Sequence, residues 1–261
     1  MRKKKLRYFV DVPKTQKLKR IVIISLALML VITLLANFST FSRAVNKMNY
    51  DKYLASLYRL KEEQGISALS EINSDFAGWI SCKDVDIELP FVKVHSVSEE
   101  SYYLDHDFEK NQNELGAPYQ KYGTVVGQTS NAVLVGHSAY TQSFFNVSKN
   151  QSIFGKFSQY LIENNSFDYS ITIQTIDDVF DYKVIGVVLL KADDVSSEKY
   201  RIYRTTNINN QSEFDKFYGS VKNNSTVKNL DTATYGDKFL TLFTCWVNNL
   251  DYRVMVVAKQ I

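Results

Sequence analysis

The C-terminal part of the chain places a cysteine and an arginine at the facing ends of two strand patterns. Cys245 ends a run that alternates in polarity from Phe239, and Arg253 begins the next run. The short segment between them, 246–252, is typical of a hairpin loop. If the strands pair with Cys245 opposite Arg253, their Cβ atoms lie about 5 Å apart on one face. A thiolate is the attacking form of cysteine and a nearby cation favours it, so this spacing predicts nucleophilic chemistry.

A nucleophilic cysteine needs a proton-transfer partner, and the chain has three histidines: His95, His106 and His137. His137 follows the apolar strand pattern 131–135 and Gly136, which lets the backbone turn at the rim of a sheet. His95 lies in a polar stretch and His106 lies between two aspartates in a loop pattern. The position of His137 therefore favours it as the partner, with a packed or surface histidine as the alternative.

Charge is distributed unevenly along the chain. The first 20 residues hold nine Lys/Arg and one Asp, so the rest is net acidic although the whole chain carries +3. A nucleic-acid-binding face is thus not expected in the folded part. Ile21–Phe38 has no charged residue and is long enough to span a bilayer as a helix. A cleaved signal peptide is the alternative, but the run is long and no Ala-x-Ala follows it.

These patterns predict a domain order. We expect a cytoplasmic basic tail at 1–20, a transmembrane signal anchor at 21–38, a polar linker at 39–47 and an extracytoplasmic domain at 48–261. From Met48 to about Leu69 the apolar residues have helical spacing, and most of the remainder has strand patterns. About eight strands with few helices predict a closed or nearly closed barrel, mainly β, with N-terminal helices and one inserted helix.

Several elements of that barrel are predicted individually. Strand patterns cover 85–89, 125–126, 132–135, 169–176 and 179–190, the last two as a hairpin. Residues 154–162 have a helical pattern and 191–210 a polar loop pattern. The inserted helix includes Phe214, Phe217 and Val221, with Ser212 and Asp215 spaced as a capping box.

The site residues also carry a family resemblance. The segments involved are Leu134-Val135-Gly136-His137-Ser138, Thr241-Leu242-Phe243-Thr244-Cys245 and Arg253. In combination they resemble the sortase transpeptidases. Further similar segments, extending from about Met48, are Asp75 to Ile80, Tyr103-Leu104 to Asp107-Phe108, and Gly116-Ala117. Together with the helices, these features are similar to class B rather than class A sortases.

The resemblance implies an eight-stranded sortase barrel with Cys245 as nucleophile, His137 as proton-transfer partner and Arg253 as stabiliser of the oxyanion and the substrate backbone. It implies a transpeptidase that cleaves a C-terminal sorting motif of secreted proteins after Thr through a thioester. The acyl group then passes to an amine of a peptidoglycan precursor. No cofactor, metal or nucleic acid is expected.

Candidate walls of the peptide groove are Leu104, Thr244, Tyr200 and Tyr203, each with core packing as the alternative. Phe243 and Trp246 depart from residues common in the family beside the cysteine.

Alternatives remain open at this point. The acceptor amine can instead be a lysine of a pilin subunit, or the thioester can be released to water by a Cys-His hydrolase. A membrane-tethered β module that binds a ligand without catalysis is a different class of function. Cys82 and Cys245 can also form a disulfide in an oxidising compartment.

Overall fold

A computed structural model describes residues 14–139, 152–162, 164, 166–228, 230–246 and 249–261. Residues 1–13 of the predicted tail and 247–248 of the predicted hairpin loop lie outside them. The helices are α1 (Lys14–Gln64), α2 (Ala68–Ile72), α3 (Glu198–Arg204) and α4 (Gln211–Asn224). The strands are β1 (Phe76–Cys82), β2 (Ile87–Lys93), β3 (Tyr119–Gln120), β4 (Asn131–Gly136), β5 (Ser138–Ala139), β6 (Ser152–Ile153), β7 (Ser170–Gln174), β8 (Val179–Lys191), β9 (Phe239–Cys245) and β10 (Tyr252–Gln260). Short 3-10 helices cover Lys83–Val85, Val97–Glu99, Tyr102–Leu104 and Phe154–Leu161.

Eight strands close a barrel in the order β1-β2-β3-β4-β9-β10-β8-β7, which confirms the predicted fold class. The pairs β2–β3 and β4–β9 are parallel, and the other pairs are antiparallel. Because β4 and β9 run in the same direction, their C-terminal ends lie at the same edge of the barrel. Those ends carry Gly136 and Cys245.

The barrel wall has two buried faces because side chains alternate along each strand. Inside the barrel, Leu134, Leu242 and Val256 belong to one apolar cluster, which we call the inner cluster. On the outside, Val135 and Phe243 belong to a second one, the outer cluster, with residues of α3 and α4 packed over it. Each fully buried side chain of this size contributes roughly 1.5–3 kcal/mol. Position along a strand therefore determines which face a side chain occupies.

Helix α1 is continuous over 51 residues. Its segment Gln16–Leu35 is exposed, and it is long and apolar enough to cross a membrane by length and composition. Near its C-terminal end, Tyr50 and Leu57 are buried against the barrel, as their helical spacing predicts. The segment 39–47, predicted as a linker, is helical. It contains neither Gly nor Pro, so nothing in its sequence ends the helix.

Three local predictions are corrected by the structure. Val125 and Val126 lie in a turn rather than a strand, and β3 at Tyr119–Gln120 occupies the barrel position instead. The segment 191–210 contains α3, which the polar composition did not indicate. The N-cap of α4 is Asn210, whose side chain accepts a hydrogen bond from the backbone of Glu213, so the cap precedes the predicted Ser212.

Asn131 joins the barrel wall to the end of α3. It is fully buried, and its Nδ2 donates to the carbonyls of Thr205 at 2.7 Å and Ile202 at 3.2 Å. Its Oδ1 accepts from the hydroxyl of Thr241 at 2.8 Å. Since α3 carries Tyr200 and Tyr203, this side chain fixes the position of both aromatic rings on the outer face.

We expect Asn131→Ala to lower the free energy of unfolding by about 1–3 kcal/mol, because it leaves buried carbonyls and a hydroxyl without partners. Thr241→Val is the matched control, since it removes only the bond to the hydroxyl and should cost less. Urea denaturation followed by circular dichroism measures both. Equal costs for the two variants would show that the α3 carbonyls do not depend on Asn131.

Candidate active site

Three side chains of different chemistry occupy one row at the edge of the barrel. Arg253 of β10 lies directly opposite Cys245 of β9, as predicted. On the other side of β9, Gly136 pairs with Thr244, so His137 continues β4 at the level of Cys245. Adjacent strands lie about 4.8 Å apart. A histidine, a cysteine and an arginine are therefore neighbours across three consecutive strands.

Alternation places all three on the outer face. Residues two positions apart on a strand face the same side. Cys245 therefore shares a face with Phe243, Arg253 shares a face with Met255, and His137 shares a face with Val135. The row is therefore next to the outer cluster and outside the barrel interior. Cys245 is half-buried, and so are His137 and Arg253. Partial exposure leaves the thiol accessible to a ligand that lies along the outer face.

His137 has an electrostatic environment that opposes its protonation. Burial is the main cause that lowers its pKa from 6.5, and the positive charge of Arg253 lowers it further. Glu114 acts in the opposite direction. These causes together favour the neutral imidazole, so its protonated form is a stronger acid than an ordinary imidazolium. Glu114 was not identified from the sequence, because only the folded chain brings its charge near His137.

Arg253 is held by the backbone of its own hairpin. Its Nη1 donates to the carbonyls of Leu250 at 2.6 Å and Tyr252 at 3.0 Å. A guanidinium has five N–H donors in a planar fork, and among the described residues its Nε and Nη2 make no hydrogen bond, so these donors are available to a ligand. The hairpin therefore fixes the cation beside Cys245 while leaving part of it available.

The end of β4 is packed closely against the 3-10 helix Phe154–Leu161. A Cβ on Gly136 would lie 2.4 Å from the ring of Phe154, and one on Gly155 would lie 2.4 Å from the hydroxyl of Ser138. Gly136 does not have a positive φ. The glycine before His137 is therefore needed for this close approach, and not for the sharp turn that the sequence suggested.

The sortase domain family model matches residues 85–261, which include the complete row. The chain belongs to the sortase family. A comparison with curated proteins gave no match. The family assignment thus rests on the domain model, and the barrel agrees with it.

Solved class B sortases have the same fold as this sortase. Sortase B from Bacillus anthracis in complex with AAEK1 is 23% identical with a TM-score of 0.69, over 83% of this chain and 98% of that one. Clostridium perfringens sortase B is 24% identical with a TM-score of 0.63, and the match covers 75% of this chain and 98% of that one. The Staphylococcus aureus sortase B–substrate complex is 20% identical with a TM-score of 0.66, and the match covers 82% of this chain and 95% of that one.

The four predicted groove residues have different positions in this sortase. Tyr200 and Tyr203 pack against Phe243, with ring centroids 5.9 and 4.6 Å away, and Leu104 packs on the same outer cluster. These three are half-buried on the outer face. Thr244 is only 2% exposed and lies on the inner face. Its side chain cannot line the groove, because alternation turns it away from Cys245.

The second cysteine is separated from the row. Cys82 is 1% exposed in the inner cluster, and its Sγ lies 3.1 Å from the hydroxyl of Tyr160. Burial raises the pKa of its thiol to about 11. Both cysteines are free, so the disulfide alternative is wrong for this structure.

Thiol labelling should therefore distinguish the two cysteines. We expect a polar methanethiosulfonate reagent to modify one thiol of the native protein, at Cys245, and two thiols after denaturation. Mass spectrometry of Cys245→Ala and Cys82→Ala variants assigns the site. Native labelling that persists in Cys245→Ala would contradict the accessibility described above.

Removing the two charges near His137 should shift its pKa in opposite directions. Arg253→Gln should raise the pKa of His137 towards 6.5, because it removes a positive charge, whereas Glu114→Gln should lower it further. Titration of the imidazole NMR signals measures both, and a His137→Ala variant assigns the resonance among the three histidines. Shifts of the same sign in the two variants would exclude this electrostatic arrangement.

Proposed function

We propose that this protein is a membrane-anchored class B sortase. It cleaves secreted proteins after Thr in a C-terminal sorting motif and transfers the acyl group to an amine of a cell-wall precursor. The observation that supports this most strongly is the row formed by His137, Cys245 and Arg253 on three adjacent strands. The fold shared with class B sortases also supports it.

The first half-reaction forms a thioester. As the Sγ of Cys245 attacks the carbonyl carbon of the Thr residue, His137 takes the thiol proton and a C–S bond forms. Arg253 donates hydrogen bonds to the oxyanion. The C–N bond then breaks, and the imidazolium gives its proton to the leaving amine. The lowered pKa of His137 favours this donation, because a weaker base holds the proton less tightly.

The second half-reaction returns the enzyme to its initial state. A neutral His137 removes a proton from the incoming amine as the nitrogen attacks the thioester carbon. Arg253 again faces the oxyanion, the new C–N bond forms and the C–S bond breaks. The sulfur leaves as a thiolate, which regains a proton from the imidazolium. Water in place of the amine would give hydrolysis by the same steps.

The apolar segment of α1 supports a location at the membrane. With the basic residues before it on the cytoplasmic side, the catalytic domain lies outside the cell. Sorting signals and lipid-linked precursors are present at that surface. A single-pass anchor with a cytoplasmic N-terminus therefore places Cys245 in the compartment that holds both substrates.

The full chain in detergent micelles, incubated with a panel of sorting peptides, tests this function. We expect a mass adduct on Cys245 for a peptide cleaved after Thr, and an amide product when an amine is added. A glycine-type amine as the better acceptor supports cell-wall attachment, whereas a lysine side chain supports pilin polymerisation. Release to water alone would indicate a hydrolase, and no adduct with any peptide would favour a non-catalytic binding module.

A further inference from the structure

A basic pocket of about 360 Å³ lies where α3 ends and α4 begins. This volume is within the range for small-ligand sites, roughly 300–1,000 Å³. Among the residues that line it are Arg201, Arg204, Thr205, Thr206, Glu213 and Lys216. We call it the Arg201 pocket.

Two cations of the Arg201 pocket are not neutralised by a neighbouring group. The Nε of Arg201 is buried without a hydrogen bond, and within the described part of the chain its guanidinium forms no ion pair. The ammonium of Lys216 likewise makes neither a hydrogen bond nor an ion pair with a described residue. Arg204 is fixed beside them, because its Nη1 donates to the carbonyl of Val195. An anion at the Arg201 guanidinium would offset part of the cost of its unpaired donor.

The charge of the lining matches a dianion. It has three cations and one carboxylate, a net charge of +2. That carboxylate, Glu213, already accepts from the backbone and side-chain nitrogens of Asn209 through Oε2, at 2.8 and 3.1 Å. The hydroxyls of Thr205 and Thr206 bind no described residue and can donate to a ligand. Guanidinium, ammonium and hydroxyl donors together suit phosphate, which carries a charge of about −1.5 to −2 on an ester at pH 7.

The Arg201 pocket lies at the edge of the barrel opposite to the row. The carbonyl of Thr206 accepts from the backbone N–H of Asn131 at 2.9 Å, where β4 begins. His137 follows the other end of β4, six positions later, or about 20 Å along the strand. A ligand in this pocket is therefore remote from the reacting groups.

Helix α1 leaves the barrel at the edge that carries the row. Lys47 of α1 lines a cavity together with Ile153, and the next residue, Phe154, packs closely on Gly136 at the end of β4. Because the part of α1 after Lys47 packs along the barrel wall, the apolar segment before it extends beyond this edge. A membrane around that segment lies on the side of the row. The Arg201 pocket thus faces away from lipid headgroups.

We propose that the Arg201 pocket binds the phosphate group of a water-soluble ligand, either inorganic phosphate or an organic phosphomonoester. Arg201 and Lys216 pair with the phosphate oxygens, and the threonine hydroxyls donate to those that remain. A carboxylate carries one charge and would neutralise only half of the lining. The inference goes beyond the proposed function, because no residue of this pocket takes part in the transfer reaction.

Isothermal titration calorimetry of the full chain in uncharged detergent micelles tests the site. The probes are inorganic phosphate and glycerol 3-phosphate, with acetate at equal ionic strength as the singly charged anion. Lys216→Gln removes one cation of the pocket at an exposed position. Lys222→Gln is the matched control, because Lys222 is also exposed on α4 but is not among the lining residues.

We expect saturable binding of glycerol 3-phosphate to the wild type and Lys222→Gln, and affinity at least about tenfold lower in Lys216→Gln. Inorganic phosphate with the same affinity would identify the phosphate group alone as the ligand, and weaker binding would add a role for the organic part. No saturable binding of either phosphate, equal affinity for acetate, or equal losses in the two variants would overturn the inference.

A further arm of the titration distinguishes a lipid source of the phosphate. Dioleoyl phosphatidic acid is added to the micelles, with dioleoyl phosphatidylcholine as the lipid without net charge. We expect neither lipid to change the affinity for glycerol 3-phosphate. Displacement by phosphatidic acid alone would contradict a water-soluble ligand and place a headgroup in the pocket.

Discussion

Replacing Cys245 with Ala is expected to lower thioester formation by at least about 10⁴-fold, to below detection, because no other group of the row can form the acyl-enzyme. The substitution removes one sulfur at the half-buried end of β9, so the barrel should keep its circular dichroism spectrum and its unfolding transition. Mass spectrometry after incubation with a sorting peptide measures the adduct.

Cys82→Ala is the matched control for the loss of a thiol. It removes a buried sulfur and its contact with Tyr160, so we expect a loss of stability of about 1 kcal/mol or more with thioester formation retained. The opposite result, an adduct that survives in Cys245→Ala and disappears in Cys82→Ala, would move the nucleophile into the barrel interior. That outcome would also make the row irrelevant to catalysis.

Removing the guanidinium of Arg253 by substitution is expected to slow thioester formation by about 10²–10³-fold, the usual effect of removing one oxyanion donor. Arg253→Lys should restore little of this loss although it keeps the charge. The guanidinium binds the hairpin carbonyls of Leu250 and Tyr252 through Nη1 and has further donors for the oxyanion, whereas an ammonium lacks this planar fork. Single-turnover formation of the thioester measures the chemical step directly.

Lys259→Gln provides a control on the same strand. Lys259 lies near the other end of β10 and forms an ion pair with Asp231 at 3.2 Å, a surface contact worth at most about 1 kcal/mol. Its loss should not change the single-turnover rate. If Arg253→Lys retained the wild-type rate, the role of Arg253 would be limited to its charge, and the fork geometry would not matter.

Sequence patterns could predict part of the site because that part is local. The pairing of Cys245 with Arg253 follows from two alternating runs joined by a short loop, and the structure has that register. The same alternation puts Thr244 on the inner face, so its selection as a groove residue contradicted the pattern that located Cys245. The parallel pairing of β4 with β9 joins segments far apart in the chain, and no local pattern determines that register.

Other elements depend on tertiary contacts that composition does not record. Helix α3 has only 7 residues, and its segment is polar, but Asn131 binds the carbonyls at its C-terminal end. An isolated helix of this length is unstable in water. The 3-10 helix Phe154–Leu161 likewise lies against the end of β4 through a tertiary contact, between Phe154 and Gly136. The sequence contained these residues but gave no signal of their proximity.

The unbroken helix α1 has a consequence for the kinetics of the proposed reaction. Leu35, at the end of the apolar segment, and Tyr50, which is buried in the catalytic domain, are 15 positions apart on one helix, or roughly 22 Å. In the proposed membrane-anchored state, a helical spacer of this length would keep Cys245 within a thin layer above the lipid. Encounters with membrane-held partners then depend on lateral density, and the effective concentration is set by the height of that layer. A flexible insertion between Leu35 and Tyr50 would lower the effective concentration of the active site at the membrane and leave the chemical steps unchanged.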